Sequence, residues 1–309
     1  MQPDNASSPN IYINEDLVGQ LIASQFSKWA NLPLKPVEVS GWDNRTFRLG
    51  NDMSVRLPSE AWYVAQVEKE QYWLPKLAPF LPVQIPIPLA LGYPDKNYPW
   101  HWSIYKWLEG ENASIENIKN LHEFAISLAQ FLVALHQIDS SGGPPPGQHN
   151  FFRGGALKVY DDETRSSISA LRNEINFDVA AEVWEISLDT TWNKEPVWLH
   201  GDFASGNLLV NKGQLSAVID FGCLGIGDPA CDLTIAWTFL SGKSRNAFIK
   251  TIALDDATWA RARGWALWKA LITLVEHIEE DDNKSKHARY VINEVLEDHK
   301  YRGDTFKRI

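Results

Sequence analysis

Three polar residues in the second half of the chain have types and spacing that could do chemistry together. Asp202 is followed five positions later by Asn207, and thirteen after that by Asp220. Moving a phosphoryl group from a nucleotide needs such a set. One carboxylate orients or deprotonates the attacking hydroxyl, while an amide oxygen and a second carboxylate hold the magnesium that bridges the phosphates. Asp202 comes just after the apolar run 197–199, so a strand end would deliver its carboxylate to the mouth of a cleft. Asn207 closes the same loop. Asp220 ends the next apolar run and is followed by Phe221 and Gly222. Each turn alone is ordinary, and the order and spacing of all three carry the weight. His200 reads as a group that orients the turn, because no serine or cysteine nucleophile motif accompanies it.

The surrounding elements must position these groups. Residues 14–30 have a helical period with Asn14 as N-cap, and 37–40, 46–49 and 53–57 read as short strands parted by GWDN and GND turns. A helix is expected over 61–77, with Val64, Val67, Tyr72 and Leu74 inward and its end marked by Pro75 and Pro79. Strands follow at 89–91 and 101–107. The composition then changes. A long amphipathic helix spans 115–138, a Gly/Pro-rich loop follows, and helices cover 161–173 and 178–188. Strand, loop, strand, turn, strand runs through 197–199, 208–210 and 215–219, and the chain from 228 on is mostly helical. The first ten residues read as disordered. The fold class is therefore α+β. A small β-rich lobe with an antiparallel sheet over 1–105 is joined by a hinge at 106–112 to a larger, mainly helical lobe over 113–309.

Residues 200–207 (HGDFASGN) and 219–233 (IDFGCLGIGDPACDL) fill every named position of HGDxxxxN and IDxxxxGxGDPAxDL. That pattern resembles the aminoglycoside phosphotransferase family, small-molecule kinases related to protein kinases. The resemblance implies a bilobal kinase-like fold, ATP or GTP as donor, Mg2+ held by Asn207 and Asp220, and Asp202 as the catalytic residue. It makes Asp228 and Asp232 scaffold, and Asp228 also suits an N-cap because Pro229 follows it. Arg56 stands where the family places its phosphate-binding lysine, and Glu70, rather than Glu68, is its expected carboxylate partner. Asn44, or Arg45, would help backbone amides cradle phosphate in a loop over 40–50. Main-chain groups around Tyr105, Lys106, Trp107 and Leu108 would meet the base. The acceptor implied is an aminoglycoside or related amino-alcohol. Macrolides, other metabolites, and a silent nucleotide-binding protein are the alternatives. The short CLGIG gap before GDPA leaves little room for an activation loop, which counts against a protein substrate.

Bulk composition fits this reading. With 44% hydrophobic and 22% charged residues, the chain is that of a globular protein. Two cysteines make no disulfide framework and fit a reducing cytoplasm. The net charge of −10 counts against nucleic acid and is compatible with a cationic small molecule, or simply with solubility. The acidic run EHIEEDD at 276–282 could bind ammonium groups of such an acceptor, or be a solvated helix end. No membrane span and no protein partner is implied. Most of the fourteen tryptophans are expected in the core.

Overall fold

Asn14 opens the first helix: its Oδ1 accepts the N–H of Leu17 at 3.0 Å, satisfying one of the donors a helix start leaves free. The structure, a computed structural model, describes residues 11–37 and 43–306. The expectations for the first ten residues, for positions 38–40 of the strand at 37–40 and for the 40–42 part of the phosphate loop fall outside them.

Helix α1 (Glu15–Gln25) buries Val18, Leu21 and Ile22. A five-stranded antiparallel sheet follows, made of β1 (Leu34–Pro36), β2 (Asn44–Leu49), β3 (Met53–Pro58), β4 (Pro88–Gly92) and β5 (Trp102–Lys106), in spatial order β1-β2-β3-β5-β4. β1 ends just before Val37, the one described residue of the expected strand at 37–40, and Val37 itself lies outside any strand. Helix α2 (Val64–Leu77) lies between β3 and β4 in sequence and buries Val67, Glu70 and Leu74. Tyr72 does not point inward as expected, being 58% exposed. At 100° per residue it sits away from the Val67–Leu74 stripe, and Glu70 takes the inward position. Pro75 lies within the last turn of α2 rather than ending it.

The rest is mainly helical. It comprises β6 (Glu111–Asn112), α3 (Leu121–His136), α4 (Asp161–Ala170), α5 (Phe177–Leu188), β7 (Val197–Leu199), β8 (Leu208–Asn211), β9 (Gln214–Val218), β10 (Gly225–Gly227), α6 (Ile235–Thr238), α7 (Gly242–Ile252), α8 (Asp256–Glu276) and α9 (Asn283–Phe306). Helix α3 starts six residues later than its apolar period predicts. Ser114 and Asn117 trade side-chain hydrogen bonds with each other's N–H in a turn, and Asn120 caps the helix. Trp184, Trp198, Trp237 and Trp259 are fully buried, so much of the tryptophan content is core. The fold is α+β, with its antiparallel sheet in the N-terminal part. None of the described helices is long and apolar enough to cross a membrane.

Candidate active site

The loop from β7 to β8 is held from below. Asp232 accepts the N–H groups of His200 and Gly201 at 2.6 and 2.8 Å, one on each carboxylate oxygen. Gly201 has φ +85°, and a Cβ there would run into the carbonyl of Cys223, so only glycine fits. The buried His200 ring accepts the Asp202 N–H on Nδ1 at 3.2 Å and faces the carbonyl of Ile219 with Nε2 at 2.9 Å. Only a neutral ring with its proton on Nε2 satisfies both, so His200 ties the loop to the strand before Asp220.

Asp202 is exposed. Asn207 Nδ2 donates to its Oδ2 at 3.0 Å and to its main-chain oxygen at 2.9 Å. Both contacts use the amide nitrogen, so the amide oxygen of Asn207 is left without a partner among the described residues. The N–H of Ile219 donates to the main-chain oxygen of Asn207 at 2.8 Å. Asp220 therefore emerges beside Asn207. It has φ +64°, a left-handed backbone that a non-glycine residue adopts at a cost of order 1 kcal/mol.

Across the cleft, Arg56 on β3 lies 3.3 Å from Asp220 Oδ1 and 3.5 Å from Glu70 Oε2. The Tyr105 hydroxyl donates to the same Glu70 oxygen. Burial works against the charge of Arg56, yet Glu70 and Asp220, with smaller help from Tyr105 and Asp43, tighten its hold on the proton. Burial pushes Glu70 up, against the pull of Arg56. Glu68 points elsewhere and meets His101 at 3.0 Å. Asn44 donates to Asp43 at 3.0 Å.

Three residues that carried no motif signal belong to this site. Burial, then the charge of Asp220, raises the pKa of Asp43, against the pull of Arg56. Lys69 on α2 donates to the carbonyl of Gly222 at 2.6 Å, and burial lowers it to about 8. Arg153 donates through Nε to the carbonyl of Gly201 at 2.9 Å. It comes from the loop between α3 and α4, which read in sequence only as a Gly/Pro-rich connection. That loop is stitched down, since the Ile226 N–H donates to Pro144 and the Asp228 N–H to Gly154, each at 2.9 Å. Asp228 caps the turn after it through the Ala230 N–H and also makes a two-pronged, buried pair with Arg261 at 2.6 and 3.2 Å.

The segment expected to meet the base is partly committed. The N–H groups of Lys106 and Trp107 are spent on Ile87 at 3.0 Å and Asp52 at 2.7 Å. Tyr105 is paired within the sheet, so its side chain serves Glu70 instead. Trp107 lies under Arg48, whose guanidinium carbon is 4.0 Å from the ring centre. Leu108 packs with Leu209, Ala217 and Ile219 into a small apolar cluster. A cavity of about 300 Å³ lies against Lys106–Glu109, but neither Asp202 nor Asp220 lines it. A second cavity, of about 320 Å³, opens on Asp202 and is walled by α8 and α9.

Comparison with known sequences decides the lineage. Residues 34–265 match the profile of a family described as the phosphotransferase enzyme family, APH. The chain belongs to that family. An aminoglycoside 3'-phosphotransferase of Escherichia coli is 31% identical over 115 residues, which are 37% of this chain and 42% of that relative. One of Salmonella typhimurium is 28% identical over 123 residues. The match thus spans about two-fifths of the curated relatives' length. Solved structures of the APH fold extend further. The GDP and kanamycin complex of APH(2")-IIIa superposes with a TM-score of 0.68 at 17% identity, over 91% of this chain and 99% of that one. The macrolide 2'-phosphotransferase MphH from Brachybacterium faecium does so with a TM-score of 0.60 at 20% identity, over 90% and 98%.

Proposed function

We propose that this chain transfers the γ-phosphate of ATP or GTP to a hydroxyl of a small molecule. The observation that carries the reading is the registry between two loops. Asn207 positions the Asp202 carboxylate, and its own main-chain oxygen receives the Ile219 N–H, which sets Asp220 beside it. In this reading residues 1–105 hold the nucleotide, 106–112 connect, and 113–309 carry the catalytic loop and the acceptor.

The donor atoms fit a hard cation. The free amide oxygen of Asn207 and the second carboxylate oxygen of Asp220 are the oxygen ligands magnesium prefers, and both would hold it. When bound, the ion neutralises charge on the phosphates. Arg56, steadied by Glu70, binds the phosphates as a fork. Asp202 accepts the proton of the acceptor hydroxyl as its oxygen bonds to the γ-phosphorus and the bond to the β-phosphate oxygen breaks, releasing the nucleoside diphosphate. The acceptor sits in the cavity that opens on Asp202. By the names of the relatives, aminoglycosides and macrolides are the acceptors to try first.

The test is transfer from Mg-ATP or Mg-GTP to a panel of acceptors by wild type and Asp202→Ala. A general base contributes about 10²- to 10⁴-fold, so the rate should fall by that factor with nucleotide affinity kept. Transfer undiminished in Asp202→Ala would overturn the mechanism.

A further inference from the structure

The cavity on Asp202 has the wrong charge for a polycation. Arg153, Lys269 and Lys284 line it, and Asp202 is the one carboxylate among its lining residues. Neither lysine is paired with a carboxylate among the described residues. Arg153 makes no ion pair there either, and its Nη1 is buried with no hydrogen-bond partner. His287 adds a polar group to the lining.

These groups converge by helix geometry. Trp265, Lys269 and Thr273 recur every four residues on one face of α8. Lys284, Ala288 and Val291 recur on one face of α9, and both faces line the cavity. The apolar part of the wall includes Phe203, Val291 and two tryptophans. Trp265 and Trp268 lie 5.0 and 5.2 Å from the guanidinium carbon of Arg153.

The acids that could have received ammonium groups are elsewhere. In the run at 276–282, His277 pairs with Glu280 at 2.7 Å and Asp282 at 3.4 Å, and Asp282 caps the first turn of α9 through the Ser285 N–H. No residue of that run lines the cavity. Glu163 is bonded to the Trp268 indole at 2.8 Å, and Asp228 to Arg261.

We propose that the acceptor is an anionic alcohol. It carries a carboxylate or phosphate for Arg153, Lys269 and Lys284, an apolar portion for Trp265 and Trp268, and its hydroxyl at Asp202. This rests on the kinase reading above and narrows it, because an aminoglycoside would bring several ammonium groups against three cations.

A set of probes that differ in charge tests it: phenyllactate, 3-phenylpropane-1,2-diol and phenylalaninol, which share one frame, and kanamycin, with glucose 6-phosphate as the phosphate-bearing member. Binding to the full chain is read from tryptophan fluorescence, using Trp268→Phe to isolate the cavity signal. Transfer from labelled Mg-ATP and Mg-GTP is followed in parallel. The expected order of affinity is phenyllactate above the diol, the diol above phenylalaninol, and kanamycin last. Lys269→Glu/Lys284→Glu, both exposed positions, should weaken phenyllactate at least tenfold through KM and reverse the order, with nucleotide affinity unchanged. Tighter binding or faster turnover of kanamycin or phenylalaninol than of both anions, or an order that the double variant leaves alone, overturns the proposal. Failure of the kinase reading looks different: no nucleotide binding and no transfer to any probe, with the fluorescence order still reporting the charge of the cavity.

Discussion

Arg56 Nη2 lies 3.3 Å from Asp220 Oδ1, although 164 residues separate the two in sequence. The same guanidinium reaches Glu70 at 3.5 Å. One half-buried cation therefore keeps two carboxylates together across the cleft. Replacing it with methionine leaves those charges uncompensated. Arg56→Met should lose about 3 kcal/mol of stability and bind nucleotide at least tenfold more weakly. Arg56→Lys should fall between, because an ammonium is a point charge that cannot fork to both partners. Denaturant unfolding and calorimetric nucleotide titration check this, and a methionine variant as stable as wild type would sink it.

Gly201 is conformationally required. Alanine there must leave φ +85° or push against the Cys223 carbonyl. Gly201→Ala should cost roughly 1–3 kcal/mol and displace the loop bearing Asp202. A lowered melting temperature together with a rate loss larger than the change in nucleotide affinity is the expected result.

Asp232 receives two main-chain N–H groups, one on each oxygen. An amide offers one oxygen and sets its NH2 against the other donor. Asp232→Asn should thus cost about 1–3 kcal/mol and lower kcat more than it raises either KM. Thermal melts and steady-state kinetics separate the two effects. Equal stability and equal kcat would show that the loop holds its shape without the carboxylate.

His136 ends α3 with its Nε2 shut from solvent and unpartnered, and burial lowers its pKa to about 4 from 6.5. A depressed histidine resists the proton when folded. The unfolded chain binds it first as pH falls below 6.5, so stability drops between about pH 6.5 and 4. The loss reaches at most about 3 kcal/mol from this one group. His136→Leu should flatten that part of the stability profile. Urea unfolding at pH 7 and at pH 5 for both proteins measures it, and an unchanged slope would remove His136 as its source.

Much of the candidate site's arrangement could be read from local sequence because its contacts are local. HGDFASGN is a loop between two strands, and Asp202 and Asn207 touch through a five-residue turn. Asp220 follows a strand that pairs with the one after that loop. The two-residue period of β2 and β3 and the helical period of α2 likewise show in the residues themselves. Turn chemistry moved the edges: the Ser114–Asn117 turn delays α3, and Tyr72 faces outward because Val67, Glu70 and Leu74 take the inward stripe.

The residues carry the proposed reaction class, since hydroxyl activation and phosphate binding need particular atoms at a short, sequence-encoded spacing. Only the tertiary structure decided which distant groups face those atoms. Arg56 meeting Asp220, Lys69 holding Gly222, and Arg153, Lys269 and Lys284 converging on one cavity are contacts between separate elements. No periodicity records such contacts, because packing brings them together, and a charged side chain reads alike in sequence whether it ends in solvent or in a substrate pocket.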